Sequence, residues 1–159
     1  MNDKFVTDNK NQFVDKVILI TGSTQGSGAE TAKLLASRGA RGIAICGRNE
    51  EKGLVVKKEI EQIGSECIYI KADLGEVKDC KKIVSETEKK FGTIHSLANV
   101  AAFTERGTIL STTLENFETC FNVNTRAPFI LMQECIKIMI RDQIKGTIAN
   151  VLSMAVYSG

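Results

Sequence analysis

Thr21-Gly22-Ser23-Thr24-Gln25-Gly26-Ser27-Gly28 is the stretch that decides the fold, and its flanks give it meaning. Before it, Lys16-Val17-Ile18-Leu19-Ile20-Thr21 is a short β-branched apolar run, which suits a strand buried on both faces. After it, Ala29 to Arg38 sets Ala32, Leu34, Leu35 and Ala36 among polar residues, and Gly39 stops the pattern as a helix C-cap does. A glycine turn between a buried strand and a helix presents free N–H groups and a partial positive charge to a pyrophosphate. Gly22 permits the sharp turn, Gly26 lets the backbone approach the phosphates, and Gly28 lets the helix lie close to the strand. Ser23 and Ser27 are expected to add hydroxyl donors, with Gln25 beside them. The competing reading is a purely structural turn. A nucleoside-triphosphate P-loop is excluded, because no G-x-x-x-x-G-K-[ST] string occurs.

The same alternation continues along the chain. Strands are expected at Gly42–Cys46, Cys67–Ile70, Ile94–Asn99 and Thr147–Leu152. Helices are expected at Asn49–Ile63, Glu76–Phe91, Leu114–Asn122 and Phe129–Asp142. The second helix is expected to turn Leu54, Val55, Ile60 and Ile63 inward. Pro128 is expected to interrupt or restart the last helical region, which carries Phe129, Leu131, Met132, Cys135, Ile136, Met139 and Ile140. Strands alternating with helices imply a Rossmann-type α/β fold, a doubly wound parallel sheet in the order 3-2-1-4-5 with right-handed crossovers. Residues 1–13 read as a flexible N-terminal arm, and 14–159 as one dinucleotide-binding domain, which 159 residues suffice to form without staples.

Composition narrows the function classes. A net charge of +2 argues against nucleic-acid or membrane-surface partners, and there is no apolar run long enough to span a bilayer. The polar N-terminus has no signal-peptide core. The five cysteines (Cys46, Cys67, Cys80, Cys120 and Cys135) show no C-x-x-C or zinc spacing, and the lone His95 cannot build a histidine metal site or a triad. The expectation is a reduced cytoplasmic protein with no metal.

The tip of the second strand should approach the adenosine ribose. It reads Cys46-Gly47-Arg48-Asn49, with no carboxylate, and Arg48 is placed to pair with a 2′-phosphate while stacking on adenine. This favours NADP over NAD. Glu50 and Glu51 follow closely and leave NAD open, and a solvated helix-start arginine is the plainer alternative.

Taken together, T-G-x-x-x-G-x-G, Asp73-Leu74, Leu97-Ala98-Asn99-Val100-Ala101-Ala102, Asn124 and Ile148-Ala149-Asn150-Val151-Leu152-Ser153 resemble the short-chain dehydrogenase/reductase family, in its order, from about Lys16 onward. The resemblance implies that Asp73 meets the adenine amino group beside the Leu74 backbone, or caps the next helix, and that Asn99 and Ala101 lie by the adenosine ribose. It implies that Asn124 holds a kinked helix and a water of a proton relay, and that Ser153 polarises a carbonyl or alcohol. Val100 and Ala102 depart from the family's N-N-A-G. Asn124 also reads as a helix-interrupting asparagine, and Ser153 as a strand-end turn residue.

The family's acid, a tyrosine in Y-x-x-x-K, does not occur in these 159 residues; neither Tyr69 nor Tyr157 has a lysine four residues on. The sequence therefore reads as the first part of such an enzyme, its fifth strand an open edge. The expectation is a cofactor half-site, with Ser153, for carbonyl–alcohol hydride transfer on a small molecule, inactive as it stands. A non-catalytic dinucleotide-binding module or an inactive fragment is the alternative, and homo-oligomerisation is left open.

Overall fold

In the computed structural model, which describes residues 9–153, the chain follows the expected alternation. Its elements are β1 (Val17–Ile20), α1 (Gly26–Ser37), β2 (Gly42–Gly47), α2 (Glu50–Ile63), β3 (Glu66–Lys71), α3 (Val77–Phe91), β4 (Ser96–Asn99), α4 (Leu114–Phe121), α5 (Ala127–Arg141) and β5 (Thr147–Asn150). The strands form one parallel sheet in the order β3-β2-β1-β4-β5.

Period-two alternation along β1 builds both faces. Val17 and Leu19 belong to a core with α3 and α5, while Ile18 and Ile20 belong to a second core with α1 and α2. All four are 0–2% exposed, as a strand covered on both faces requires. The chain runs from β1 to β2 and β3 on one side, then returns past β1 to β4 and β5. The strand order thus reverses between β1 and β4, which opens a crevice at their carboxyl ends.

Three expectations need correction. Of the four residues expected inward on α2, only Ile60 is buried; Leu54, Val55 and Ile63 are 52%, 54% and 44% exposed. The buried stripe is Gly53, Val56 and Ile60, because the Tyr69 ring occupies the place a Cβ would take on Gly53. Pro128 falls in the first turn of α5, so of the two alternatives it restarts the α-helix and does not interrupt it. A π-helical turn, Asn122–Arg126, joins α4 to α5, with the Ala127 N–H bonded to the Asn122 carbonyl. Its wider spacing eases the strain a proline puts on the preceding turn. On α5, Phe129, Ile136 and Ile140 are exposed, and the buried stripe is Ile130, Leu131, Cys135, Ile138 and Met139. β5 also stops at Asn150, where its partner β4 ends at Asn99.

Of the expected arm, residues 9–13 are held against the domain. The Phe13 N–H donates to the Arg38 carbonyl at 3.0 Å, and Arg38 reaches Gln12 at 3.0 Å. Residues 1–8 and 154–159, with Tyr157 among them, lie outside the described residues. Among the described residues no helix is long and apolar enough to cross a membrane.

Candidate cofactor site

The crevice at the β1–β4 reversal is a cavity of about 690 Å³, walled by the segments that leave the carboxyl ends of β1, β2, β3 and β4. That volume suits a small-molecule ligand, and the place is where open α/β sheets bind theirs.

The first wall is the glycine turn. Gly22 has φ of +63°, and an added Cβ would lie 2.6 Å from the Cα of Ala101, so the turn presses directly on the segment after β4. Thr21 fastens the same seam. Its Oγ1 accepts the N–H groups of Val100 at 3.1 Å and Ala101 at 3.2 Å. A Cβ on Gly28 would collide with the Gly22 carbonyl oxygen, so α1 starts hard against the turn. Gly26 (φ +59°) has open space where its Cβ would be, and it lines the cavity with Gln25 and Ser27. Because α1 begins at Gly26, its first N–H groups lie at the wall. Ser23 departs from expectation. It is fully buried, its hydroxyl donates to the Ile20 carbonyl at 2.7 Å and accepts the Cys46 N–H at 3.1 Å, and it is a strut between β1 and β2 rather than a phosphate donor.

The second wall is the β2 tip. Cys46, Gly47 and Arg48 line it. Gly47 lies so close to Thr24 that a Cβ would sit 2.7 Å from Thr24 Cγ2. Tyr69 braces this tip from β3, its hydroxyl donating to the Gly47 carbonyl at 2.7 Å. Arg48 is exposed and makes no ion pair among the described residues, whereas Glu50 is paired with Lys71 at 3.1 Å. Burial pushes the Cys46 thiol up to about 12, so it stays protonated and inert.

The third and fourth walls carry the remaining expected residues. Asp73 and Leu74 line the cavity; Asp73 Oδ1 accepts the Gly75 N–H at 2.8 Å, a local turn and not a helix cap, since Glu76 precedes α3. Ala101 lines it and Asn99 does not. Asn99 is 4% exposed and donates across the ladder to Asn150 Oδ1 at 2.8 Å, leaving its own Oδ1 without a hydrogen bond. Asn124 sits in the π-helical turn and clamps the loop after β4. Its Oδ1 accepts the Phe103 N–H and its Nδ2 donates to the Phe103 carbonyl, both at 2.8 Å, and Phe103 lines the cavity. Ser153 follows β5 and is exposed, outside the cavity's lining. Thr24, Gly47, Tyr69 and Phe103 contribute without having been expected; only Gly47, between strand tip and arginine, leaves a signal in the sequence.

A turn that Gly22 and Gly28 alone can close, helix N–H groups behind it and an arginine in the cavity wall fit the pyrophosphate and ribose of a dinucleotide. Comparison with known proteins adds the family and the fold. The sequence model of the short chain dehydrogenase family matches residues 16–159. An uncharacterized oxidoreductase of Thermotoga maritima is 37% identical over 143 residues, covering 90% of this chain and 55% of its own. A short chain dehydrogenase of Burkholderia cenocepacia solved in complex with NADP superposes with a TM-score of 0.86 at 29% identity, covering 92% of this chain and 59% of that one. An NAD+-bound xylitol dehydrogenase gives 0.85 at 26% identity, covering 93% and 56%. The chain thus spans about half the length of the relatives it matches.

Proposed function

The chain belongs to the short chain dehydrogenase family, and on that premise we propose that it carries the adenosine and pyrophosphate half of an NADP-dependent oxidoreductase that interconverts carbonyls and alcohols. The observation that carries the cofactor choice is Arg48, which lines the cavity while Glu50, the first carboxylate in sequence after the tip of β2, is engaged with Lys71. A guanidinium offers a 2′-phosphate a charge-assisted, two-pronged hydrogen bond, which a ribose hydroxyl does not reward to the same degree.

In this reading the N–H groups at the start of α1 and the Ser27 hydroxyl hold the pyrophosphate. Asp73 spends one carboxylate oxygen on Gly75 and offers the other to the adenine amino group. Asn124 acts as a positioning residue, fixing the loop at Phe103 through both atoms of its amide. Ser153 holds the substrate oxygen at the carboxyl end of β5. The cofactor, when bound, supplies or accepts the hydride. These 159 residues contain no Tyr-x-x-x-Lys, so on their own they hold the cofactor without turning it over. The fitting substrate is a small carbonyl or alcohol, and the reduced thiols fit a cytoplasmic setting.

Titration calorimetry of the 159-residue chain tests the cofactor choice. NADP is expected to bind about tenfold or more tightly than NAD, and Arg48→Ala to erase most of that difference, since a charged hydrogen bond contributes ~1.5–3 kcal/mol. Equal binding of the two, unmoved by Arg48→Ala, would refute it.

A further inference from the structure

We propose that Arg126 is a positioning residue for adenine selection: by holding the Gly75 carbonyl it fixes the loop that aims the Asp73 carboxylate. The proposal rests on the dinucleotide reading above. Asn122–Arg126 is the π-helical turn between α4 and α5, and its Asn122 and Val123 line the cavity. From the same turn, two side chains reach two further walls. The Asn124 amide holds Phe103 on the segment after β4, and the Arg126 guanidinium donates through Nη2 to the Gly75 carbonyl on the segment after β3. Residues two apart on a helix do not face each other, so one turn can hold both walls. Phe103 and Gly75 both line the cavity.

The peptide between Gly75 and Glu76 is the joint through which Arg126 acts on Asp73. Arg126 holds its carbonyl, and its N–H donates to the Asp73 carbonyl at 3.0 Å. The Gly75 N–H donates to Asp73 Oδ1 at 2.8 Å, and the Asp73 N–H donates to Asp79 Oδ2 at 2.8 Å. Asp73 is thereby tied at its N–H, its carbonyl and one carboxylate oxygen, which directs the second oxygen. These ties are local. Arg126 adds an anchor from 51 residues along the chain, to a loop residue with no side chain of its own. Charge pairing and helix docking do not account for the arginine. Arg126 is exposed and makes no ion pair among the described residues. α3 and α5 already share a core through Cys80, Ile83, Val84, Leu131, Cys135 and Ile138, and Arg141 pairs with Glu88 towards their C-terminal ends. The bond from Arg126 to Gly75 lies at the opposite end, where the cavity is.

The test titrates ADP and inosine diphosphate into the 159-residue chain by calorimetry. The two probes differ only in the amino or oxo group of the purine. The wild type is expected to prefer ADP, because an ionised carboxylate accepts from the amino group and repels the oxo group. Arg126→Met is expected to weaken ADP about tenfold, leave inosine diphosphate unchanged and so remove the preference, the loss being one hydrogen bond to a charged group. Arg126→Gln, too short to reach Gly75, gives the same result with a polar side chain. Arg126→Lys keeps a donor for the carbonyl and retains most of the preference. Asp73→Ala removes the preference by itself, and adding Arg126→Met to it costs nothing more, because Arg126 acts through Asp73. If Asp73→Ala removes the preference while Arg126→Met and Arg126→Gln keep it, the role of Arg126 is overturned and the dinucleotide reading stands. Equal weakening of both probes in the Arg126 variants reduces the residue to a general support of the cavity and overturns the proposal too. A wild-type chain that binds both probes alike overturns the placement of adenine against Asp73, and this proposal with it, while the pyrophosphate grip stands. A wild-type chain that binds neither overturns the dinucleotide reading itself.

Discussion

At the scale of single residues, the site depends on places where no side chain fits. Gly28 is the sharpest case, because the atom its Cβ would strike is the backbone carbonyl oxygen of Gly22. Gly22 cannot retreat, since it already presses on Ala101 and holds a φ of +63°. Gly28→Ala must therefore push α1 away from the turn, moving the N–H groups that would grip phosphate. Overpacking of this kind costs about 1–3 kcal/mol. The expected outcome is a lower midpoint in urea together with loss of detectable dinucleotide binding by calorimetry. Unchanged affinity in Gly28→Ala would show that the helix start does not contact the ligand. Gly26→Ala separates the two effects. Its Cβ meets nothing, but its φ of +59° makes the turn strained, so a modest loss of stability is expected without a collision.

At the scale of elements, His95 links three strands. Its N–H donates to the Val17 carbonyl at 2.9 Å, its Nδ1 accepts the Val17 N–H at 3.1 Å, and its carbonyl accepts the Thr147 N–H at 3.1 Å. Burial holds the imidazole below its ordinary value, with Lys16 and Arg41 adding to the effect and Asp142 and Asp15 opposing it. The sign follows. As pH falls through the ordinary histidine range near 6.5, the unfolded chain takes up a proton that the folded chain refuses. Stability is therefore full above that range and is lost below it, until the folded imidazole also protonates and the bond from Val17 breaks. Urea midpoints measured from about pH 8 to about pH 5 should fall, and His95→Gln should flatten that segment. A midpoint that rises on acidification in this window would contradict the assignment. The elements themselves were legible in the sequence, because buried β-branched runs and glycine-stopped helices repeat without interruption. The orientation of helices was not. Gly53 on α2 shows no apolar signal, yet it anchors the buried stripe, because the ring that covers it comes from Tyr69 on a neighbouring strand. The site divides the same way. The glycine turn and Arg48 were legible because consecutive residues build them. The inward turn of Ser23, the cross-strand bond of Asn99 and the reach of Arg126 to Gly75 were not, because partners far along the chain set them.

At the scale of the whole molecule, the two sides of the sheet are finished to different degrees. The faces over β1, β2 and β3 are covered, whereas β5 stands at the sheet edge with most of its residues exposed. Two helices, α4 and α5, show apolar stripes to solvent. On α4, Leu114, Phe117 and Phe121 recur at helical spacing and are 70%, 53% and 54% exposed, with the two phenyl rings 4.9 Å apart. On α5, Phe129, Ile136 and Ile140 do the same, the outer two at 59% and 72%. α4 has no buried residue at all, so its helical form leans on the π-helical turn and on the cap that Thr113 makes to the Asn116 N–H at 3.2 Å. Apolar surface arranged this way drives association, with each large side chain worth ~1.5–3 kcal/mol when covered. The 159-residue chain is therefore expected to self-associate as its concentration rises, read by sedimentation velocity. Phe129→Lys combined with Ile140→Lys should weaken that association by about tenfold or more. Both positions are exposed, so the fold should survive the change, and near-ultraviolet and far-ultraviolet circular dichroism would verify it. Dinucleotide binding should be untouched, because neither residue lines the cavity. Association that the double substitution leaves unchanged would place the sticking surface elsewhere, with the open edge of β5 and the exposed Val151 and Leu152 the next to be tested.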